Sequence, residues 1–295
     1  MRTLKGLRAE ELLYRRLQPC CPFKGKIHSI FSSTMNLMEE GGRLWTLSIE
    51  REMYLPGTLE ISGKINFEEY QHLLGKPVHL ASGMLVLGHS LQVDLSEILM
   101  RKPEERGSLA KGAGNPKDNL EKTLEELRIH GKRGGCLSFF LPGPQEGYLE
   151  KAFQDRISAV KTTGDFRQIL GLGLGLTPSG DDFALGFMAM ASYLPGSLVR
   201  DTAQKLRTLL EHGTVSTTEV SLQMLHFGKE DRFPGALTNF CEEILYGSDA
   251  EKRKSAMEKL LNIGSISGTD MASGALFALQ LHLEQQCGGN DDKKS

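Results

Sequence analysis

The chain has 295 residues, with 35 Lys plus Arg against 37 Asp plus Glu, a formal charge of -2 and 39% apolar residues. A length near 300 calls for two domains or one large one, and so even a charge balance lacks the basic face that duplex nucleic acid requires, so no nucleic-acid partner is expected. Five cysteines, with Cys20 and Cys21 adjacent and Cys136, Cys241 and Cys287 far apart, form neither a C-x-x-C metal pair nor an even disulfide set, which fits a reducing cytoplasm.

Residues 1–16 interleave Arg2, Lys5, Arg8, Arg15 and Arg16 with Glu10 and Glu11 and lack the apolar run of a secretory signal. Short β-rich runs follow at 26–31, 43–49, 58–61, 78–81, 84–87 and 136–140, broken by turns such as Gly41-Gly42 and Ser82-Gly83. Ser32-Ser33-Thr34-Met35-Asn36 reads as a polar run leaving the first strand; it either satisfies local backbone or offers Asn36 to a substrate. Residues 107–116 are rich in Gly, Asn and Pro without apolar periodicity, so a mobile segment is expected near 101–117. A short amphipathic helix should start at Asp118 or Asn119, place Leu120, Leu124 and Leu127 on one face and close at Gly131.

After Tyr148 the periodicity turns helical, over 149–160, 182–194, 198–212, 217–227, 236–246, 250–261 and 270–285. Ser216-Thr217-Thr218-Glu219 matches a capping box, with Ser216 and Glu219 as its reciprocal pair. The uncharged stretch 183–199 is too short in its apolar part to span a bilayer, so no membrane is expected. The expected fold class is α+β: a β-rich N-terminal domain at 1–140, a helical domain at 141–287 that carries the glycine-rich motif, and a disordered tail at 288–295.

That motif, Gly171-Leu-Gly-Leu-Gly-Leu-Thr-Pro-Ser-Gly-Asp-Asp182, is the most unusual stretch in the chain. It fails the dinucleotide fingerprint, the P-loop and the G-x-S-x-G elbow, so neither a nucleotide nor a flavin is expected. It reads in two ways: as a glycine-rich turn with Asp as helix cap, or as a loop presenting backbone amides to an anion. Ser179-Gly-Asp-Asp-Phe-Ala-Leu-Gly186 aligns without gaps on Ser267-Gly-Thr-Asp-Met-Ala-Ser-Gly274. The duplication predicts two small-faced helices packed together with their positive ends converging. Asp181, Asp182 and Asp270 would then lie near one another and must be capped, protonated or bridged by a cation; Mg²⁺ is one such bridge. Thr217, Thr218 and Ser221 are candidates for the same pocket, and His28, His79, His89 and His226 lack metal-ligand spacing.

The motif, with the second corner Ile263-Gly-Ser-Ile-Ser-Gly-Thr-Asp270 and, more weakly, Phe31-Ser-Ser-Thr-Met-Asn-Leu37, resembles the AllH-like family. Its namesake is a subunit of oxamate carbamoyltransferase in anaerobic allantoin breakdown, a branch of purine catabolism. Leu174 stands where the family often has Pro, and Ser265 where it often has His. The resemblance implies a cytoplasmic subunit, working with other subunits, that moves a carbamoyl group between oxamate or oxalurate and phosphate through carbamoyl phosphate. It assigns a small anionic substrate to Gly171, Gly173, Gly175, Thr177, Pro178, Ser179, Gly180, Ser267, Gly268, Thr269 and Asn36. Asp181, Asp182 and Asp270 become the catalytic carboxylates, in positioning or cation-holding roles. The alternative is a non-catalytic ligand-binding or scaffolding subunit of a metabolic complex.

Overall fold

Period-2 burial in the first hundred residues builds a sheet, and the sheet closes on itself. In a computed structural model, which describes residues 1–18, 22–103, 114–143 and 146–291, the first compact unit is Met1–Glu104. Its strands are β1 (Arg2–Glu10), β2 (Lys24–Ile30), β3 (Thr34–Glu39), β4 (Leu44–Ile49), β5 (Thr58–Ile61), β6 (Pro77–Ala81), β7 (Met84–Leu87), β8 (Leu91–Asp94) and β9 (Leu99–Arg101), with α1 (Glu11–Arg16) after β1. The order is β5-β4-β3-β2-β6-β7-β8-β1-β9, and a further β5–β1 pairing closes a barrel, with β9 added on β1 as an edge strand. Alternation in β7 and β8 buries Leu85, Leu87, Leu91 and Val93 while their neighbours stay partly exposed.

Several readings change here. The polar run at 32–36 enters β3, where Asn36 is buried, donates to Ser29 Oγ (2.9 Å) and accepts from Thr46 Oγ1 (2.9 Å). Its amide is therefore spent inside the sheet. β1 runs through residues that carry charges at Arg2, Lys5 and Arg8, which masked its strand pattern; Arg8 and Arg101 both bind the buried Glu60. Cys20 and Cys21, and most of the segment expected to be mobile near 101–117, lie outside the described residues.

The second unit, Glu105–Ser295, begins well before the expected boundary at 140. Its helices are α2 (Pro116–His130), α3 (Tyr148–Thr163), α4 (Ser179–Ala191), α5 (Leu198–His212), α6 (Glu219–Lys229), α7 (Gly235–Tyr246), α8 (Ala250–Leu261) and α9 (Ser267–Asp291). Cys136–Phe140, expected as a strand, is a 3-10 helix: Gly135 O accepts from Ser138 N and Ser138 Oγ, so the backbone is satisfied locally and not in a ladder. The cap of α2 is Asn115, whose side chain accepts from Lys117 N (3.1 Å) and Asp118 N (3.4 Å), while Asn119 is buried and anchors the last turn of α7 through Ile244 O (3.0 Å) and Gly247 O (2.9 Å). The helix α9 continues to Asp291, past the start of the tail expected to be disordered; residues 292–295 lie outside the described set. Among the described residues no helix is long and apolar enough to cross a membrane.

Every residue of α4 is buried, the polar Ser179, Asp181 and Asp182 of its first turn as well as the apolar stretch from Phe183, and α9 is buried from Ser267 to Leu279. The two cross near their starts, with Phe166, Phe183, Phe187 and Phe277 packed into one aromatic cluster beside the crossing. A Cβ on Gly186 would lie 1.9 Å from Met271 O, and a Cβ on Gly274 would lie 1.9 Å from Phe183 O. Gly186 aligns with Gly274 and Phe183 with Met271, so this contact is the duplicated sequence meeting itself across a local two-fold axis.

Candidate functional site

The same symmetry organises the helix starts. Gly180 N donates to Leu172 O (2.9 Å) and Asp181 N and Asp182 N to Pro178 O; Gly268 N donates to Ile263 O (3.0 Å) and Thr269 N and Asp270 N to Ile266 O. Each corner thus closes its own first turn by backbone alone, with no side-chain cap on α4. Of the first helical amides, those of Ser179 and Ser267 stay unbonded among the described residues, because the equivalent glycine and acidic positions are spoken for.

Ahead of α4 the glycine-rich loop takes a conformation that only glycine adopts readily. Gly171, Gly173 and Gly175 have φ of +75°, +130° and +87°. Contact also excludes side chains: a Cβ on Gly171 would lie 2.0 Å from Ser216 O, and one on Gly173 2.5 Å from Ser179 N, whereas Gly175 faces open space. Alternate positive φ breaks any ladder, and among the described residues no amide from Gly173 to Thr177 donates a hydrogen bond. These amides, with that of Ser179, form a donor-rich surface beside the exposed Leu174 and Leu176.

Two of the carboxylates, Asp182 and Asp270, lie close enough to interact. Ser267 and Thr177 hydroxyls favour the charge on Asp182, Ser179 favours the charge on Asp270, and Thr177 Oγ1 lies 3.0 Å from Ser267 Oγ. Asp270 Oδ1 accepts from Cys136 N (2.7 Å). Oδ2 of Asp182, Oδ2 of Asp270 and Oγ of Ser179 are buried without a hydrogen bond of ordinary geometry; the Ser179 hydroxyl is near Asp270 but not well aligned. Burial raises the Asp182 carboxyl well above its usual range, and nearby Asp270 adds to the effect against the opposing hydroxyls. Burial pushes Asp270 up to about 7, against Ser179 and the Cys136 amide. The Cys136 thiol is raised as well, by burial and then by Asp270, Asp182 and Asp181, so it is no thiolate nucleophile.

Asp181 plays a different part. Its Oδ1 accepts from Gly171 N (2.8 Å), and its Oδ2 from Thr217 Oγ1 and Ser221 Oγ, the latter at 2.7 Å. It ties the glycine loop to the start of α6, where Thr218, not Ser216, is the cap: Thr218 Oγ1 accepts from Ser221 N (3.1 Å) and donates to Leu176 O. The capping-box reading therefore fails because Thr217 and Thr218 are drawn to the glycine corner. Both oxygens of Asp181 are thus engaged, and among the described residues no group of three or more His, Cys, Asp or Glu side chains is arranged to hold a metal ion. Asp181→Ala leaves one amide and two hydroxyls without their acceptor, and a loss of about 2 kcal/mol is expected, to be read as a lower urea midpoint at unchanged slope.

Residues 132–135 had no part in the sequence reading, and Gly131 only as the close of a helix, yet they border this site. Lys132 N donates to Thr269 Oγ1 (3.1 Å), Lys132 Nζ donates to Gly264 O (3.1 Å), and a Cβ on Gly135 would lie 2.2 Å from Asp270 Oδ1. The signal available was Gly131-Lys-Arg-Gly-Gly135, two cations flanked by glycines.

Comparison with known families agrees with this division of the chain. Residues 169–279 match the family described as oxamate carbamoyltransferase subunit AllH, and residues 5–101 match the AllH family N-terminal domain. The chain belongs to the AllH family. The family's main region spans the glycine-rich loop, both Ser-Gly-x-Asp corners and the α4–α9 crossing, and its N-terminal domain coincides with the barrel. No solved structure matches the chain. Of the residues singled out in the sequence, the helical unit gathers 171–182 and 267–270 around one pair of helix starts, while Asn36 belongs to the barrel, with its amide already engaged.

Proposed function

We propose that this AllH-family chain binds a small anionic substrate at the glycine-rich loop and the paired starts of α4 and α9, and takes part in carbamoyl transfer between oxalurate and phosphate. The observation that carries the reading is the set of unbonded amides at Gly173–Thr177 and Ser179, which sit beside two converging helix dipoles. In the transfer, a phosphate oxygen attacks the carbamoyl carbon of oxalurate, a C–O bond forms, the C–N bond breaks, and the departing amide nitrogen takes a proton to become oxamate. Negative charge builds on the carbamoyl oxygen, and preorganised N–H donors are each worth a few kcal/mol there. Asp182, whose carboxyl burial raises well above its usual range and which is less deeply buried than Asp270, is the proton source, and phosphate returns a proton to it.

The near-complete burial of both acids favours a second reading, in which this subunit only holds the anion and a partner subunit does the chemistry. Reconstitution with the other subunits separates the two. Asp182→Asn and Asp270→Asn, each checked for intact folding and assembly, are expected to lower carbamoyl phosphate formation from oxalurate by about 10²-fold or more. Formation at the native rate in both variants leaves the binding role alone.

A further inference from the structure

The anion site as described is rich in dipoles but poor in formal positive charge, and its corners carry Asp181, Asp182 and Asp270. Amides and helix ends bind anions unaided, and an arginine adds charge-assisted, bidentate hydrogen bonds to a phosphate-type dianion. We propose that Arg133, carried on the 131–135 loop, is the charged group that recognises the phosphate end of the substrate. This rests on the anion-binding reading of the corners.

Geometry supports it in three ways. The loop is pinned on both sides of Arg133 to the first turn of α9, by Lys132 N on Thr269 Oγ1 (3.1 Å) and by Cys136 N on Asp270 Oδ1 (2.7 Å), so the Arg133 Cα lies one residue, about 4 Å, from the first of these anchors. The glycine loop reaches the same turn through Thr177 Oγ1 and Ser267 Oγ at 3.0 Å, so both loops flank one helix start. Finally, Arg133 is exposed and makes no hydrogen bond or ion pair among the described residues, whereas Lys132 Nζ is engaged with Gly264 O. The buried Ser179 Oγ, beside Asp270 but without a hydrogen bond of ordinary geometry, lies at the paired helix start. A guanidinium also fits phosphate bidentately, which an ammonium does not.

The test is titration of the full-length chain with inorganic phosphate and, separately, with oxamate, for wild type, Arg133→Ala and Arg133→Lys. Arg133→Ala is expected to weaken phosphate at least tenfold and oxamate much less, with Arg133→Lys between wild type and Arg133→Ala and melting temperatures unchanged because the side chain is exposed. Phosphate affinity equal to wild type in Arg133→Ala overturns the assignment of Arg133, and an equal loss for oxamate overturns its choice of phosphate. Wild-type protein that binds neither anion overturns the anion-binding reading itself, and the Arg133 assignment with it.

Discussion

Gly186→Ala and Gly274→Ala are each expected to destabilise the protein by about 3 kcal/mol, at the upper end of ordinary overpacking. Two effects of opposite sign compete. In a helix interior alanine is favoured over glycine by about 1 kcal/mol, which by itself predicts a gain. Against this stands a methyl carbon 1.9 Å from Met271 O or Phe183 O. Those atoms are main chain in the opposing helix, so no side chain can rotate away; the helices must separate, and the aromatic cluster of Phe166, Phe183, Phe187 and Phe277 must loosen with them. Packing wins. Because both substitutions strain one interface, the double variant should lose less than the sum of the singles. Chemical unfolding of the three variants measures this, and a stability gain in either single variant would show that the helices do not approach so closely.

Asp270→Asn is expected to raise stability at alkaline pH and to leave it nearly unchanged near pH 4. Asp270 has a folded pKa of about 7 against 3.8 for the free group. Between those values the folded chain holds a proton that the unfolded chain has released. Stability from this group is therefore full below about pH 4 and falls as pH rises to about 7, at up to about 1.4 kcal/mol per pH unit. The summed loss is of order 4 kcal/mol. Asparagine is isosteric with the protonated acid: its carbonyl keeps the Cys136 N bond, and its NH₂ stands where Oδ2 now lacks a partner. The difference between variant and wild type cancels remote, oppositely shifted groups such as Asp94 and Glu284, while the part of the Asp182 shift that Asp270 causes is removed with it. Stabilities from denaturant curves should diverge from pH 4 up to about pH 7 and run parallel above it, and wild-type and variant profiles parallel throughout would refute a buried, proton-retaining Asp270.

Much of this site was legible in the chain because its information is local or repeated. Three glycines at alternate positions announce positive φ, and the duplicated Ser-Gly-x-Asp-x-Ala-x-Gly announces two equivalent small-faced helices; their crossing and the α+β division follow from periodicity. The barrel strands β5 and β7 were legible to the residue, since apolar runs between glycines leave little choice. Elements whose stability comes from distant partners were not. β1 reads as a charged segment until Glu60 neutralises Arg8, and the 3-10 turn at Cys136–Phe140 reads as a strand until Gly135 O claims its donors.

The sequence by itself determined which residues form the corners and that the corners come as a pair. Only the tertiary structure decided their division of labour. It consumed Asp181 in holding Gly171, Thr217 and Ser221, left Asp182 and Asp270 close enough to interact and without full partners, and set Lys132 beside the second corner from 137 residues away, at Thr269. The physical reason is that a carboxylate's role depends on which donors reach its lone pairs and how much water remains, and both are set by chain segments remote in sequence.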